Sequence, residues 1–175
     1  MTSAGEGTQD LSKFAGSWTL DPSRTSVKFR TKAMWVVPVT GTMSAKQGTA
    51  NVDPAGALSA TVEFDAASIS TKNAKRDKHL RTADFFDVAT YPTMTFTAVS
   101  ARPTGPGTAD VDGQFTVLGQ SRPVTVPVKY VVAGDTVTIS GEVDVDRSQW
   151  GMTLTPLGAG VNNHVMVSAV FTKTA

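Results

Sequence analysis

The chain of 175 residues has no cysteine at all, so a disulfide framework and thiolate chemistry are both excluded. It has only two histidines, which leaves too few imidazoles for a multi-histidine metal site. It lacks an excess of either charge, with 16 Lys and Arg against 15 Asp and Glu. That balance gives no electrostatic argument for a nucleic-acid partner or for a strongly basic tail. No run reaches the roughly 18 apolar residues of a spanning helix. The first stretch, MTSAGEGTQDLSKF, has neither a basic start nor an apolar core, so it does not read as a secretion signal. The expectations are a polar disordered tail over residues 1–13, one domain over 14–175, and residence in the cytoplasm.

What the chain does have is alternation. Apolar residues recur at every second position, which is the strand period. Trp18 and Leu20 share a face, and Val27, Phe29 and Thr31 share the next. Asp21-Pro22-Ser23-Arg24 between them reads as a turn. Pro38 cannot donate to a ladder, so its run is an edge, a bulge or a bend. Leu58 to Phe64, Met94 to Ala98, Val111 to Val117, Val124 to Tyr130, Val137 to Val145 and Val165 to Phe171 all alternate. Gly134 supplies the turn of a hairpin. Eight or more strands with one apolar face each suit a closed sheet or a sandwich, and alternation does not separate the two. Small residues on the inner faces, Ala60, Ala98, Gly113, Gly141 and Ala169, either leave a void or let the strands coil closely.

Alternation stops once, over Arg76 to Pro92, RDKHLRTADFFDVATYP. A short helical insertion is expected around residues 73–87, capped by Thr71 or Asn73 and running through Leu80. Asp84 is expected to cap a second turn that holds Phe85 and Phe86, a pair that either closes the barrel end or packs in the core.

The order of several short pieces resembles the YceI-like family of lipocalin-like, polyisoprenoid-binding β-barrels. The pieces are Trp18-Thr19-Leu20-Asp21-Pro22 with Ser26 and Phe29; Ser68-Ile69-Ser70-Thr71 before Arg76-Asp77-Lys78-His79-Leu80; and Asp84-Phe85-Phe86-Asp87. They continue with Tyr91-Pro92 and Phe96; Gly113-Gln114-Phe115-Thr116-Val117 with Gly119 and Arg122-Pro123-Val124; and Asp146-Arg147 with Trp150-Gly151. The resemblance implies an all-β, elongated, eight-stranded antiparallel barrel. It also implies an apolar tunnel for a long isoprenoid chain, such as a quinone tail or a polyprenyl phosphate, and frequent homodimers. Many members carry a secretion signal, which this chain does not display. Trp150 stands where the family has Phe, and its larger ring would narrow one end of the tunnel.

The expected function is non-enzymatic binding, transport or storage of such a lipid, with no cofactor, no metal and no nucleic acid. The residues expected to line the ligand are Phe29, Val62, Phe64, Phe86, Phe96, Phe115, Val126, Val128, Ile139 and Trp150. Arg76, His79 and Arg147 are candidates for a polar head group, Arg because its planar fork suits phosphate. Two alternatives stay open. One is an enzyme using Arg76, Asp77 and His79 at the barrel mouth, against which Asp and His two apart on a helix point to different sides. The other is a filled β-scaffold that acts through protein partners near Met34 and Trp35. His164 with Met166 is too small a ligand set for a soft metal.

Overall fold

The computed structural model describes residues 11–33, 37–155 and 159–174. Nine strands and one helix are defined there: β1 Gly16–Leu20, β2 Ser26–Ala33, β3 Val37–Val52, β4 Leu58–Ser70, α1 Ala74–Leu80, β5 Thr93–Gly105, β6 Thr108–Val117, β7 Gln120–Ala133, β8 Thr136–Asp146 and β9 Asn162–Lys173. From β2 onward each strand pairs antiparallel with the next, and β9 returns to pair with β2. The sheet is thus a closed antiparallel barrel.

Nine strands make eight staves because β1 and β2 share one. Both lie between β3 and β9, β1 against Thr49 to Val52 and β2 against Val37 to Met43. The turn at Asp21-Pro22-Ser23-Arg24 breaks the stave. The Asp21 carboxylate accepts hydrogen bonds from Ser23 N (3.0 Å), Ser23 Oγ (2.6 Å) and Arg24 Nε (2.7 Å). The break does not orphan the neighbouring strand: Val170 N donates to Thr25 Oγ1 at 3.2 Å.

Prolines mark where ladders stop. Pro38 pairs with Lys32 on one side, while β3 does not meet β4 until Thr42 opposite Ser70, so its missing N–H faces an unpaired edge. The β7–β8 ladder likewise ends at Val128 opposite Gly141, although β8 continues to Asp146 against β9. Tyr130 N points toward β6, bonding Gly107 O at 2.9 Å. The odd positions of β7 therefore face β8, and two of them, Pro123 and Pro127, have no donor to offer. A seam without backbone bonds runs between β7 and β8 over that stretch.

The connections sort to two ends. Tight hairpins at residues 53–57, 105–108 and 133–136 make one end, which also receives the 3-10 turn Leu11–Phe14. At the other end stand α1, the β6–β7 turn, the described parts of the β8–β9 connection, and the end of β2 and start of β3. Buried large apolar side chains gather toward the two ends, Trp18, Leu20 and Phe171 at the first and Ile69, Phe85, Trp150 and Met152 at the second. Between them the inward Phe29, Val62, Phe96, Phe115, Val126 and Ile139 are only partly buried. In a filled core such side chains would be sealed on all sides; here they face a void.

Candidate ligand tunnel and its mouth

The void is about 820 Å³ and runs the length of the barrel, from Leu11, Phe14 and Tyr130 to Arg76, His79 and Arg147. All ten residues expected to line a ligand do line it, and so do the three candidates for a head group. Small residues serve it in two ways. Ala60, Ala98, Gly141 and Ala169 face the void directly. Gly41 and Gly113 instead let aromatic rings lie flat against the wall. A methyl on Gly41 would sit 2.1 Å from the tip of the Phe29 ring, and one on Gly113 would sit 2.6 Å from the Phe96 ring and 2.5 Å from Thr97 O. Hollowness and close approach, posed as alternatives by the sequence, are both present. Sequence pattern alone did not find Gly41, whose signal is its cross-strand position opposite Phe29.

The hairpin end is stopped with aromatic rings. Phe14 meets Trp18 edge-on at 6.4 Å and Tyr130 at 5.6 Å. Trp18 Nε1 donates to Phe14 O at 2.9 Å, which fixes the 3-10 turn across the opening. That turn straddles the Lys13 boundary drawn from the sequence. The Tyr130 hydroxyl is buried with no hydrogen-bond partner among the described residues.

The helix end is organised by polar contacts. Asn73 caps α1, accepting from Arg76 N at 3.0 Å. Thr71, the other candidate cap, is instead the anchor. Its backbone N–H and hydroxyl donate to buried Asp77 at 2.8 and 2.5 Å, while Arg76 donates to its hydroxyl oxygen (2.7 Å) and its carbonyl (3.0 Å). Arg81 donates to Ala67 O and Ile69 O, so α1 and the following turn are stitched along β4. Asp77 therefore serves Thr71, and His79 bonds Asp84 at 2.9 Å. The expected capping role of Asp84 does not hold, because its carboxylate is taken by His79 and Thr82 makes the local turn contacts. His79 also stacks edge-on against Phe85 at 5.2 Å, and Phe85 is buried beneath it. Phe86 faces the tunnel.

Arg147 is buried, and its hydrogen bonds among the described residues go to backbone carbonyls. Its guanidinium donates to Gly160 O (3.1 Å), Met152 O (2.6 Å) and Ala159 O (3.4 Å), and lies 5.3 Å from the Phe85 ring centre. Burial pulls its pKa below the usual arginine value, opposed by the charge of Asp146. It staples the β8–β9 connection and borders the tunnel. Trp150 is fully buried beside it, donating from Nε1 to Phe115 O at 2.9 Å and meeting the Phe115 ring at 5.6 Å.

Four residues of the lining are themselves exposed to solvent, namely Lys32, Asn73, Lys75 and His79, and all stand at the helix end. The mouth is there. The basic groups of the described lining are Lys32, Lys75, Arg76, His79 and Arg147, with no carboxylate among them. No cluster of metal-ligating side chains occurs among the described residues. His164 lies outside the tunnel, bonded to Asp144 at 2.8 Å with Glu142 at 3.7 Å. Met34 and Trp35 lie outside the described residues.

The comparisons with known proteins agree with this geometry. Among solved structures the chain is similar to BcnA of Burkholderia cenocepacia, with a TM-score of 0.75 and 27% identity, covering 86% of this chain and 98% of that one. A domain from Saccharophagus degradans, described as polyisoprenoid binding and implicated in plant cell wall breakdown, shares the fold at a TM-score of 0.69 and 15% identity, with 90% of this chain and 98% of that one covered. Among curated sequences, Protein YceI of Escherichia coli O157:H7 is 38% identical over 112 residues, covering 62% of this chain and 58% of that protein. A UPF0312 protein of Ectopseudomonas mendocina is 38% identical over 96 residues, 54% of this chain and 50% of that protein. The matches thus span about half to three fifths of the length of these curated relatives. The model of the YceI-like domain matches residues 18–172, from the aromatic stop of the tunnel to the last strand, and the chain belongs to the YceI-like family.

Proposed function

We propose that the protein binds one long apolar isoprenoid lipid in its tunnel, tail toward the hairpin end, and carries or stores it without chemical change. The observation that carries this reading is the apolar void of about 820 Å³ that runs the barrel's length, open where the helix stands. Each methylene withdrawn from water contributes about 0.8 kcal/mol, so a long prenyl chain needs few polar contacts to be held. Arg76, His79 and Arg147 border the mouth, where a quinone ring or a phosphate would rest. The description of the Saccharophagus degradans domain as polyisoprenoid binding supports the ligand class. The reading is non-enzymatic because the polar groups of the mouth are committed to one another: Asp77 bonds Thr71, and the His79 ring bonds Asp84.

The test has two parts. Organic extraction of the purified protein followed by mass spectrometry should recover an isoprenoid lipid. Val126→Trp, which places an indole in the void, should abolish binding of added isoprenoid quinone and polyprenyl phosphate while leaving the melting temperature near wild type. A protein that yields no lipid and binds neither compound is not a lipid carrier.

A further inference from the structure

The mouth has a surface as well as an interior. Around it stand Lys32, Lys72, Lys75 and Lys78, all exposed, and none of these ammonium groups has a carboxylate or a hydrogen-bond acceptor among the described residues. The carboxylates of the same segment are Asp77, which is buried on Thr71, Asp84, which is bonded to His79, and Asp87. Exposed apolar side chains occur at both ends, Val131 and Val132 beside the 133–136 hairpin and three others at the mouth. Val37 begins β3 opposite the end of β2 (39% exposed), and Leu154 lies in the β8–β9 connection (48%). That connection is held to β2 through Gly160 N and Lys32 O at 2.7 Å. Tyr91, 38% exposed, stands over the β6–β7 turn, its ring 3.1 Å from where a methyl on Gly119 would be.

Unpaired cations, scattered apolar groups and a tyrosine around the opening of an apolar tunnel form a surface complementary to an anionic bilayer. Lysines near such a surface are attracted to its acidic head groups, small apolar groups enter the interface, and tyrosine favours the boundary between the two. A ligand too apolar for water must be exchanged with a bilayer, and exchange is shortest when the mouth faces it. We propose that the helix end docks on the surface of a membrane rich in anionic lipid and that the tunnel loads and unloads there. The docking face thus adds a membrane partner to the lipid-carrier reading, on which it rests.

The test is flotation of the full chain with vesicles of phosphatidylcholine alone and of phosphatidylcholine mixed with phosphatidylglycerol, at low and at high salt. Binding is expected with the anionic vesicles, falling as salt rises. The pair Lys72→Gln and Lys78→Gln, both outside the tunnel lining, should weaken that binding by about fivefold per charge removed. The pair Lys13→Gln and Lys129→Gln at the hairpin end should leave it unchanged. Loading of polyprenyl phosphate from detergent micelles should be equal in wild type and in both pairs. Absence of vesicle binding, indifference to vesicle charge, or equal losses from both pairs would overturn the docking face. So would a dimer in solution that the first pair disrupts without any effect on vesicles, because the face would then belong to a second copy of the chain. If vesicles are bound but micellar lipid is never taken up, the docking face stands and the lipid-carrier reading falls.

Discussion

The two ends of the barrel solve opposite problems with different chemistry. The hairpin end is shut, and apolar contact shuts it: Phe14 lies against Trp18 and Tyr130. The helix end must leave a way in, and there the contacts are polar and directional: Asp77 and Arg76 on Thr71, Arg81 on β4 carbonyls, Arg147 on three more. Apolar packing gains by filling space, so it suits a stopper. Hydrogen bonds hold atoms at set distances without filling the space between them, so they suit a frame. Positive φ occurs at both ends, but the residue types that adopt it differ. The three tight hairpins turn at Gly56, Gly107 and Gly134, which adopt positive φ without strain. Among the described residues, the left-handed ones other than glycine, Lys72, Asp87 and Leu118, all lie at the helix end. Strain of this kind persists where surrounding structure holds it in place, commonly beside a functional opening.

The contrast is most exposed to failure at Asp77. Asp77→Ala leaves the buried N–H and hydroxyl of Thr71 without an acceptor, and should cost about 3 kcal/mol in urea unfolding. His79→Ala, two residues on, removes an exposed pair and should stay within about 0.5 kcal/mol of wild type. Equal losses would mean that the helix is held by general packing and not by its bonds to Thr71.

The stopper is tested next. Phe14→Ala removes a half-buried ring and two edge-on contacts, and should cost about 2 kcal/mol. It should also open the closed end, so bound lipid should exchange faster in a stopped-flow competition. A loss of stability with unchanged exchange would show that the ring packs there without sealing anything.

A pH-sensitive contact also stands in the helix half, at His164 near the start of β9. The hydrogen bond that the imidazole makes to the Asp144 carboxylate, followed by the charges of Asp144 and Glu142, raises the His164 pKa above its ordinary value. A raised folded-state pKa stabilises the protein fully below the ordinary histidine value and loses that contribution as pH rises through the folded value. The melting-temperature gap between wild type and His164→Gln should therefore be wider near about pH 6 than near about pH 9. A gap independent of pH would mean that the imidazole is not held as a cation by its two neighbours.

Much of this was legible in the residues before the coordinates. Alternation gave the staves, Asp21-Pro22 gave the break in the first, and Arg76 to Pro92 marked the insertion at the mouth. Hollowness was implied only by the family resemblance and was not legible in the alternation, because an inward valine looks the same whether it meets a neighbour or a void. Phe29 depends on Gly41, twelve positions away along the chain and paired with it only across strands. The choice between Thr71 and Asn73 as cap turned on where one carboxylate, that of Asp77, would point, and spacing does not encode that. Arg147 read equally well as a surface cation or a phosphate ligand, and its three carbonyl partners come from a connection that shows no strand or helix period.

The smallest effect probes backbone strain by exchanging residue types between the ends. Lys72 holds φ at 59°, a left-handed value that costs a side-chain-bearing residue roughly 1–2 kcal/mol. Lys72→Gly removes that cost but enlarges the freedom of the unfolded chain, so the net gain should be about 0.5 kcal/mol. Gly134 has φ of 60° and open space where a methyl would sit, so Gly134→Ala meets no clash and should lose about 1 kcal/mol from conformation alone. Opposite signs at two matched angles would show that the helix end gives up stability to keep a lysine where glycine would fit better. The same Lys72→Gly protein should float less well with anionic vesicles, which ties the strained backbone to the charge it displays. A destabilised Lys72→Gly would mean that neighbouring contacts have already absorbed the strain, and the conformational contrast between the two ends would then carry no energy.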